Sequence, residues 1–439
     1  TLDLSGMILT PQEVENLGQL TKLKNLDLRN TGLTVEQYEQ VTAMLPDCTI
    51  LWQIPVQGQY LDPDAKNLTI TSLAEEDLAT LKYLSGPEQI HAEDCEELEL
   101  LLQVQEIFPD CKIHYRVTVG EERILWNITE LQVQDADAAE LMAQLKYLPN
   151  LTQLTLTGDT PDNEWIWELK QAYPGIRFIW EFEFFGKMVS SETQELDLSG
   201  IPMESVAEVE NGLKYFNDLQ KVEMCDCGIS SEEMDALWKR HPETRFIWAI
   251  TVGNMHLRTD ITTLMPHQFG YGTRLPPLRS VDCTEFKYLV DMVCLDLGHM
   301  FVGDISFVSY MPNLEFLLVC ENDLTDVSPV AGLQKLKYLE VFYNRKLADI
   351  SALAECPALE DINLSKCPID DLSPLLELKN VKNLWLYEPY VSEEMEQKLA
   401  KAFPDARIVI HNTSAIGNGW RTIPNYFAQR DLLGLHYMK

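Results

Sequence analysis

His256, His267 and Cys283 share one irregular stretch of the chain, and imidazole and thiolate are the ligands a zinc ion takes. Their spacings of 11 and 16 residues fit no zinc-site pattern, so a metal is not expected there. Cys225-Asp-Cys227 ends a strand-like segment and is poorly placed to grip one ion, and Asp62-Pro-Asp64 is too sparse for a calcium loop. The acidic pairs Glu75/Glu76, Glu232/Glu233 and Glu393/Glu394 resemble general acid–base pairs only in composition. Each falls in a first helical turn, where carboxylates favour the helix dipole. Ser230-Ser-Glu-Glu233 and Thr34-Val-Glu-Gln37 read as capping boxes, in which the hydroxyl and the carboxylate or amide satisfy free backbone N–H groups. There is no nucleophile elbow, phosphate loop, zinc-protease helix or dinucleotide fingerprint. The expectation is therefore no enzyme, no cofactor and no metal.

The chain has ten cysteines without the close, regular spacing of a disulfide scaffold. Cys95, Cys227 and Cys367 each lie five residues after the first apolar residue of a strand, the position that Asn322 and Asn344 hold elsewhere. They are expected to be buried turn residues.

That shared position exposes the elements. Asp304-Ile-Ser-Phe-Val, Asp326-Val-Ser-Pro-Val, Asp349-Ile-Ser-Ala-Leu and Asp371-Leu-Ser-Pro-Leu repeat with aspartates 22, 23 and 22 residues apart. Each copy follows a strand signature, such as Leu317-Leu-Val319, Leu339-Glu-Val341 or Leu384-Trp-Leu386. A short period with a fixed apolar pattern is a solenoid of stacked units. A longer period runs through the first half: Leu2, Leu68, Leu131 and Leu196 are spaced by 66, 63 and 65 residues, and Leu26, Ile90, Leu154 and Val222 by 64, 64 and 68. A third series follows a proline (Ile50, Ile113, Phe178, Phe246) and is closed by Gly58, Gly120, Gly186 and Gly253. Three strands per unit make both halves one solenoid. In the regular repeats Ser306, Ser328, Ser351 and Ser373 sit where a helix cap belongs.

The expected organisation is residues 1–253 as irregular coils in macro-repeats of about 64 residues, 254–291 as an irregular connector rich in Pro266, Pro276, Pro277 and glycine, 292–411 as regular repeats, and 412–439 as a capping segment. Trp420, Tyr426, Phe427 and Leu432 would cover the last coil. The chain opens inside a strand pattern, Thr1-Leu-Asp-Leu-Ser-Gly, so a segment ahead of it is expected.

The 439 residues carry a formal charge of −35, which repels phosphate backbones and anionic membranes. Nucleic acid is excluded as a partner on that ground. No run of about eighteen apolar residues is present, so no membrane insertion is expected within the chain.

Leu314-Glu-Phe-Leu-Leu-Val-Cys-Glu-Asn322 and Leu336-Lys-Tyr-Leu-Glu-Val-Phe-Tyr-Asn344 resemble the LxxLxLxxN core of bacterial leucine-rich repeats, nearest the 22-residue internalin-type class. The match is good over residues 292–410 and loose over 1–253, where few asparagines hold the ladder position. With the closing Gly417-Asn-Gly-Trp-Arg and Arg430-Asp-Leu-Leu-Gly, the chain is similar to secreted or surface leucine-rich-repeat proteins of gut-type Gram-positive bacteria. The resemblance implies an α/β solenoid with a continuous parallel concave sheet, and helices or short turns on the convex side. It further implies an extracellular or cell-surface place on a bacterium and a binding role.

Residues flanking the consensus apolar positions face away from the solenoid core. In the first half they are Asp27, Arg29, Glu93, Thr155, Thr157, Asp197 and Glu223, an ordinary polar face. In the regular repeats they include Phe316, Leu318, Tyr338, Phe342, Asn363, Trp385 and Tyr387, one contiguous aromatic patch. Such patches mark binding surfaces, unless the C-terminal segment folds back over them. The expected function is non-enzymatic recognition of a protein ligand, such as a host or neighbouring-cell surface protein, through this patch. The alternative is a substrate-recognition or scaffolding array whose catalytic or anchoring part lies outside the chain.

Overall fold

The computed structural model describes residues 1–159, 162–272 and 278–435; Pro276 and Pro277 lie outside the described residues. Two compact units emerge, Thr1–Glu192 with Lys214–Asn217, and Thr193–Leu213 with Asp218–Lys439.

In the first unit the apolar consensus residues stack in parallel register as Leu2–Leu26–Ile50, Leu68–Ile90–Ile113 and Leu131–Leu154–Phe178. The second unit begins with Leu196–Val222–Phe246. It continues in a seven-stranded parallel sheet whose central residues are Leu264, Leu295, Leu317, Leu339, Ile362, Leu384 and Ile408. Leu26, Ile90, Leu154, Val222, Leu317, Leu339, Ile362 and Leu384 are all buried. Each unit is a leucine-rich-repeat solenoid of the α/β class.

The sheet is not continuous. After the third strand of each irregular block the chain turns back in an antiparallel hairpin, Ile54–Val56 with Gln59–Leu61, Arg116–Val119 with Glu122–Leu125, Glu181–Phe184 with Lys187–Ser190, and Ala249–Val252 with Met255–Arg258. The glycines expected to close strands are the turns of these hairpins. Gln57-Gly58 and Phe185-Gly186 have both central residues at positive φ, the two-residue turn that matches strand twist. The stretch 254–291 is correspondingly less irregular than expected, for it supplies a hairpin strand, Met255–Arg258, and the first strand of the long sheet, Thr263–Leu264.

Chain exit from the sheet is uniform. The fourth residue after the central apolar one has positive φ in coil after coil, among them Asn30, Asp226, His299, Glu321, Tyr343, Lys366 and Glu388. The following side chain then drops into the core. Asn322 Nδ2 donates to Leu297 O at 2.8 Å and Asn344 Nδ2 to Val319 O at 2.9 Å. Cys227 and Cys367 reach the equivalent carbonyls, Leu198 O at 3.2 Å and Val341 O at 3.3 Å. Thiol and amide are thus alternative rungs of one ladder. Burial pushes the Cys95 and Cys367 thiols up to about 12, so both stay protonated and inert.

On the other side of the coils lie ten-residue helices, including Val35–Met44, Leu98–Ile107, Asn163–Ala172, Ser231–Arg240 and Glu393–Ala402. Each ends one residue before the residue preceding a proline, which disfavours helical geometry there. The capping boxes at Thr34/Gln37 and Ser230/Glu233 form. In the regular repeats the turns are 3-10 and the cap differs from expectation. Asp304, Asp326, Asp349 and Asp371 accept the N–H of the serine two residues on, at 2.7–2.8 Å, so aspartate caps and serine opens the turn. Those backbone N–H groups hold the Asp349 and Asp371 carboxyls below their usual value.

Among the described residues, no helix is long and apolar enough to cross a membrane.

Candidate functional site

The residues first considered for metal chemistry do not meet. His256 Nε2 is 2.9 Å from Asp226, His267 packs edge-on to His299, and Cys283 is buried with its thiol donating to Arg279 O. Among the described residues no three His, Cys, Asp or Glu side chains group as metal ligands.

The seven-stranded sheet does assemble the outward rows. Because Leu317, Leu339, Ile362 and Leu384 point into the solenoid, their neighbours leave on the opposite face. One row runs Cys294, Phe316, Tyr338, Asp361, Asn383, Arg407, and the next Asp296, Leu318, Glu340, Asn363, Trp385, Val409. The expected patch is therefore contiguous but not open. Phe316, Leu318, Tyr338, Phe342, Asn363 and Trp385 are each at most 4% exposed, and only Tyr387, at the margin, is half-buried.

The cover is the chain's own C-terminal segment. Trp420, Ile423, Tyr426 and Leu433 join Phe316, Leu318, Tyr338 and Trp385 in one buried cluster, and Ala415 joins Phe342 and Cys320 in another. The Trp420 ring lies 5.4 Å from Tyr338 and 5.1 Å from Trp385. Stacking a row of large aromatics against water costs hydrophobic free energy that this cover recovers. The segment lies along the sheet face, and Val409 of the last strand belongs to the same cluster. Of the four residues expected to form a cap, Trp420 and Tyr426 are buried here, whereas Phe427 and Leu432 are 44% exposed.

Polar contacts fix its register. Asn363 Nδ2 donates to Ala415 O at 3.0 Å and Trp385 Nε1 to Gly417 O at 2.8 Å. Asn425 Nδ2 donates to Glu360 at 3.0 Å, and Gln268 Nε2 reaches Leu433 O at 3.1 Å. At the centre is Glu340, fully buried. Its Oε2 accepts the Trp420 indole N–H at 2.8 Å and the Tyr338 hydroxyl at 2.5 Å, while Arg421 Nη2 lies 3.0 Å from Oε1. Burial, then the Glu340 charge, raise the Tyr338 hydroxyl far above its ordinary value. Burial is the largest influence on Arg421 and opposes its charge, but Glu340 together with Tyr338, Tyr426 and Cys320 outweighs it and the net direction is up. Asp296 is raised by burial and further by Glu340, and Asp361 is raised by burial.

At the margin, Lys366 Nζ sits 4.8 Å from the Tyr343 ring and 5.2 Å from Tyr387, and it pairs with Glu388 at 2.9 Å. Sequence reasoning missed Glu340, Arg421 and Asn425. A signal was present: Glu340 is a charge set between Leu318 and the Asn363–Trp385 pair in an outward row, and Arg421 follows the one tryptophan of the non-periodic tail.

No family model matches the chain. Solved structures that resemble it include internalin C2 of Listeria monocytogenes, 20% identical over 51% of this chain and 76% of that one, TM-score 0.23. Internalin F of the same organism is 18% identical over 73% and 91%, TM-score 0.26. A leucine-rich-repeat protein of Leptospira interrogans is 14% identical over 92% and 94%, TM-score 0.26. Likenesses this distant carry no weight for function; the leucine-rich-repeat fold stands on the strand register and the side-chain ladder.

Proposed function

We propose that this chain is a non-enzymatic binding protein, displayed outside a bacterial cell, that recognises a protein ligand through the outward face of its C-terminal repeats. The observation that supports this is the docked tail: the face holds a polypeptide segment by side-chain-specific contacts to Glu340, Asn363 and Trp385. Its accessible margin, with Tyr343, Lys366 and Tyr387, is where an external ligand first makes contact. Aromatic rings with an adjacent cation are efficient anchors because they bury large area at little entropic cost.

The test is capture of surface proteins by the immobilised intact chain, compared with Tyr343→Ala and Tyr387→Ala variants. Loss of a specific partner in both variants at unchanged melting temperature supports the reading. A partner retained equally by both places its site elsewhere on the chain.

A further inference from the structure

Glu340 obtains its cation from the tail. Arg421 supplies it at 3.0 Å, with the Trp420 indole at 2.8 Å beside it. A fully buried carboxylate without a counter-charge is strongly disfavoured, so whatever covers this face must bring one. The ring slot between Tyr338 and Trp385 adds a second demand, for a flat aromatic side chain.

The tail meets both demands but is an imperfect occupant. Gln429 is fully buried, yet neither atom of its carboxamide has a hydrogen-bond partner, and the buried amide nitrogen of Asn412 has none either. Unsatisfied buried polar groups weaken an interface by their full desolvation cost. The outer side of the segment leaves Phe427 and Leu432 at 44% and Ile416 at 40% exposed. Asn418 and Gly419 both have positive φ just before the Trp420-Arg421 pair.

From this combination we infer that residues 412–435 are a removable internal ligand, and that the face beneath is a groove for a partner polypeptide presenting an arginine beside a tryptophan or tyrosine. The inference rests on the binding reading above and specifies its ligand. The net charge of −35 draws such a basic segment in. A partner that pairs every polar group it buries displaces the tail by mass action.

The experiment uses the full chain carrying a protease site at the exposed His411, cut so that both pieces remain together, and a fluorescent synthetic peptide of residues 412–435. In excess, the labelled peptide is expected to exchange into the cut protein, giving a rise in anisotropy. Uncut protein is expected to bind it at least tenfold more weakly, because the tethered tail competes at high effective concentration. A peptide with Arg421→Glu is expected to lose at least tenfold in affinity for the cut protein. No exchange into the cut protein overturns the groove. Equal binding by uncut protein overturns occlusion by the tail, and equal binding by the Arg421→Glu peptide overturns recognition of the cation. If exchange fails while the immobilised chain still captures a partner through Tyr343 and Tyr387, this inference falls and the binding reading stands. Exchange without any captured partner overturns the binding reading and the partner groove with it, and leaves only a detachable tail.

Discussion

At the scale of single residues, the ladder position separates chemistry from shape. Asn344 satisfies three backbone groups: its Nδ2 donates to Val319 O and Val341 O, and its Oδ1 accepts from Leu324 N–H. Asn344→Ala strands these inside the solenoid at roughly 1–3 kcal/mol for each group left unpaired. Cys367→Ala removes a weaker donor and a small apolar volume, and the expected loss is about 1–2 kcal/mol. Urea unfolding of both variants checks the order, which fails if Cys367→Ala is the more damaging. Trp385 reverses the expectation drawn from its type and spacing. Being fully buried under the tail, it should cost about 3–5 kcal/mol on truncation to alanine, with a clear fall in melting temperature. An unchanged melting temperature would show that the tail does not cover it. The spacing of the leucines made the outward direction of Trp385 legible. What it faced was not, because its partner Gly417 lies 32 residues away in a segment without any period.

At the scale of elements, the hairpins carry a similar lesson. Their glycines were visible at fixed offsets after each proline, but a glycine ending an alternating strand reads equally as a stop or as a turn. The strand that follows settles it, and Gln59–Leu61 and Lys187–Ser190 are too short to stand out. Gly186, at φ 74°, has open space where a Cβ would go, so Gly186→Ala meets backbone strain alone, on the order of 1 kcal/mol. Gly253, at φ 60°, has the Tyr271 hydroxyl in that space, and the same hydroxyl accepts the Asn254 N–H at 2.9 Å. Gly253→Ala should therefore destabilise more than Gly186→Ala; equal melting temperatures would refute the packing argument. Helix Ala207–Gly212 is tied to helix Ser231–Arg240 through Glu210, which takes Arg240 at 2.7 and 2.8 Å and His241 at 3.0 Å. The Arg240 guanidinium leads in pulling the Glu210 carboxyl down to about 2. A folded-state value below the unfolded one means that stability is fully present above about 4.5 and is lost as pH falls towards 2. Glu210→Gln should flatten that part of the melting-temperature profile, and an unaltered acid limb would show that the pair contributes nothing.

At the scale of the whole molecule, a repeat array is held by nearest-neighbour interfaces, and a cap acts only on the coil it touches. The docked segment is different because its contacts are spread along the long sheet. Trp420 reaches Glu340 in the middle, Asn363 and Trp385 hold Ala415 and Gly417, and Gln268 near the first strand binds Leu433. Periodicity revealed the coils because each one repeats its neighbour's solution. The segment occurs once, and its docking depends on side chains scattered over many coils, so nothing in the repeat pattern announced it. The two descriptions, cap and lid, predict different behaviour when residues 412–439 are deleted. Loss of a cap frays strand Arg407–Val409 and leaves earlier strands unchanged. Loss of a lid opens Phe316, Tyr338 and Trp385 to water together and leaves Glu340 without Arg421. Amide exchange should then accelerate across the sheet from Thr263–Leu264 to Arg407–Val409, with a rise in binding of an apolar dye. Hydrogen exchange read strand by strand decides between them, and acceleration confined to the last strand would refute the lid.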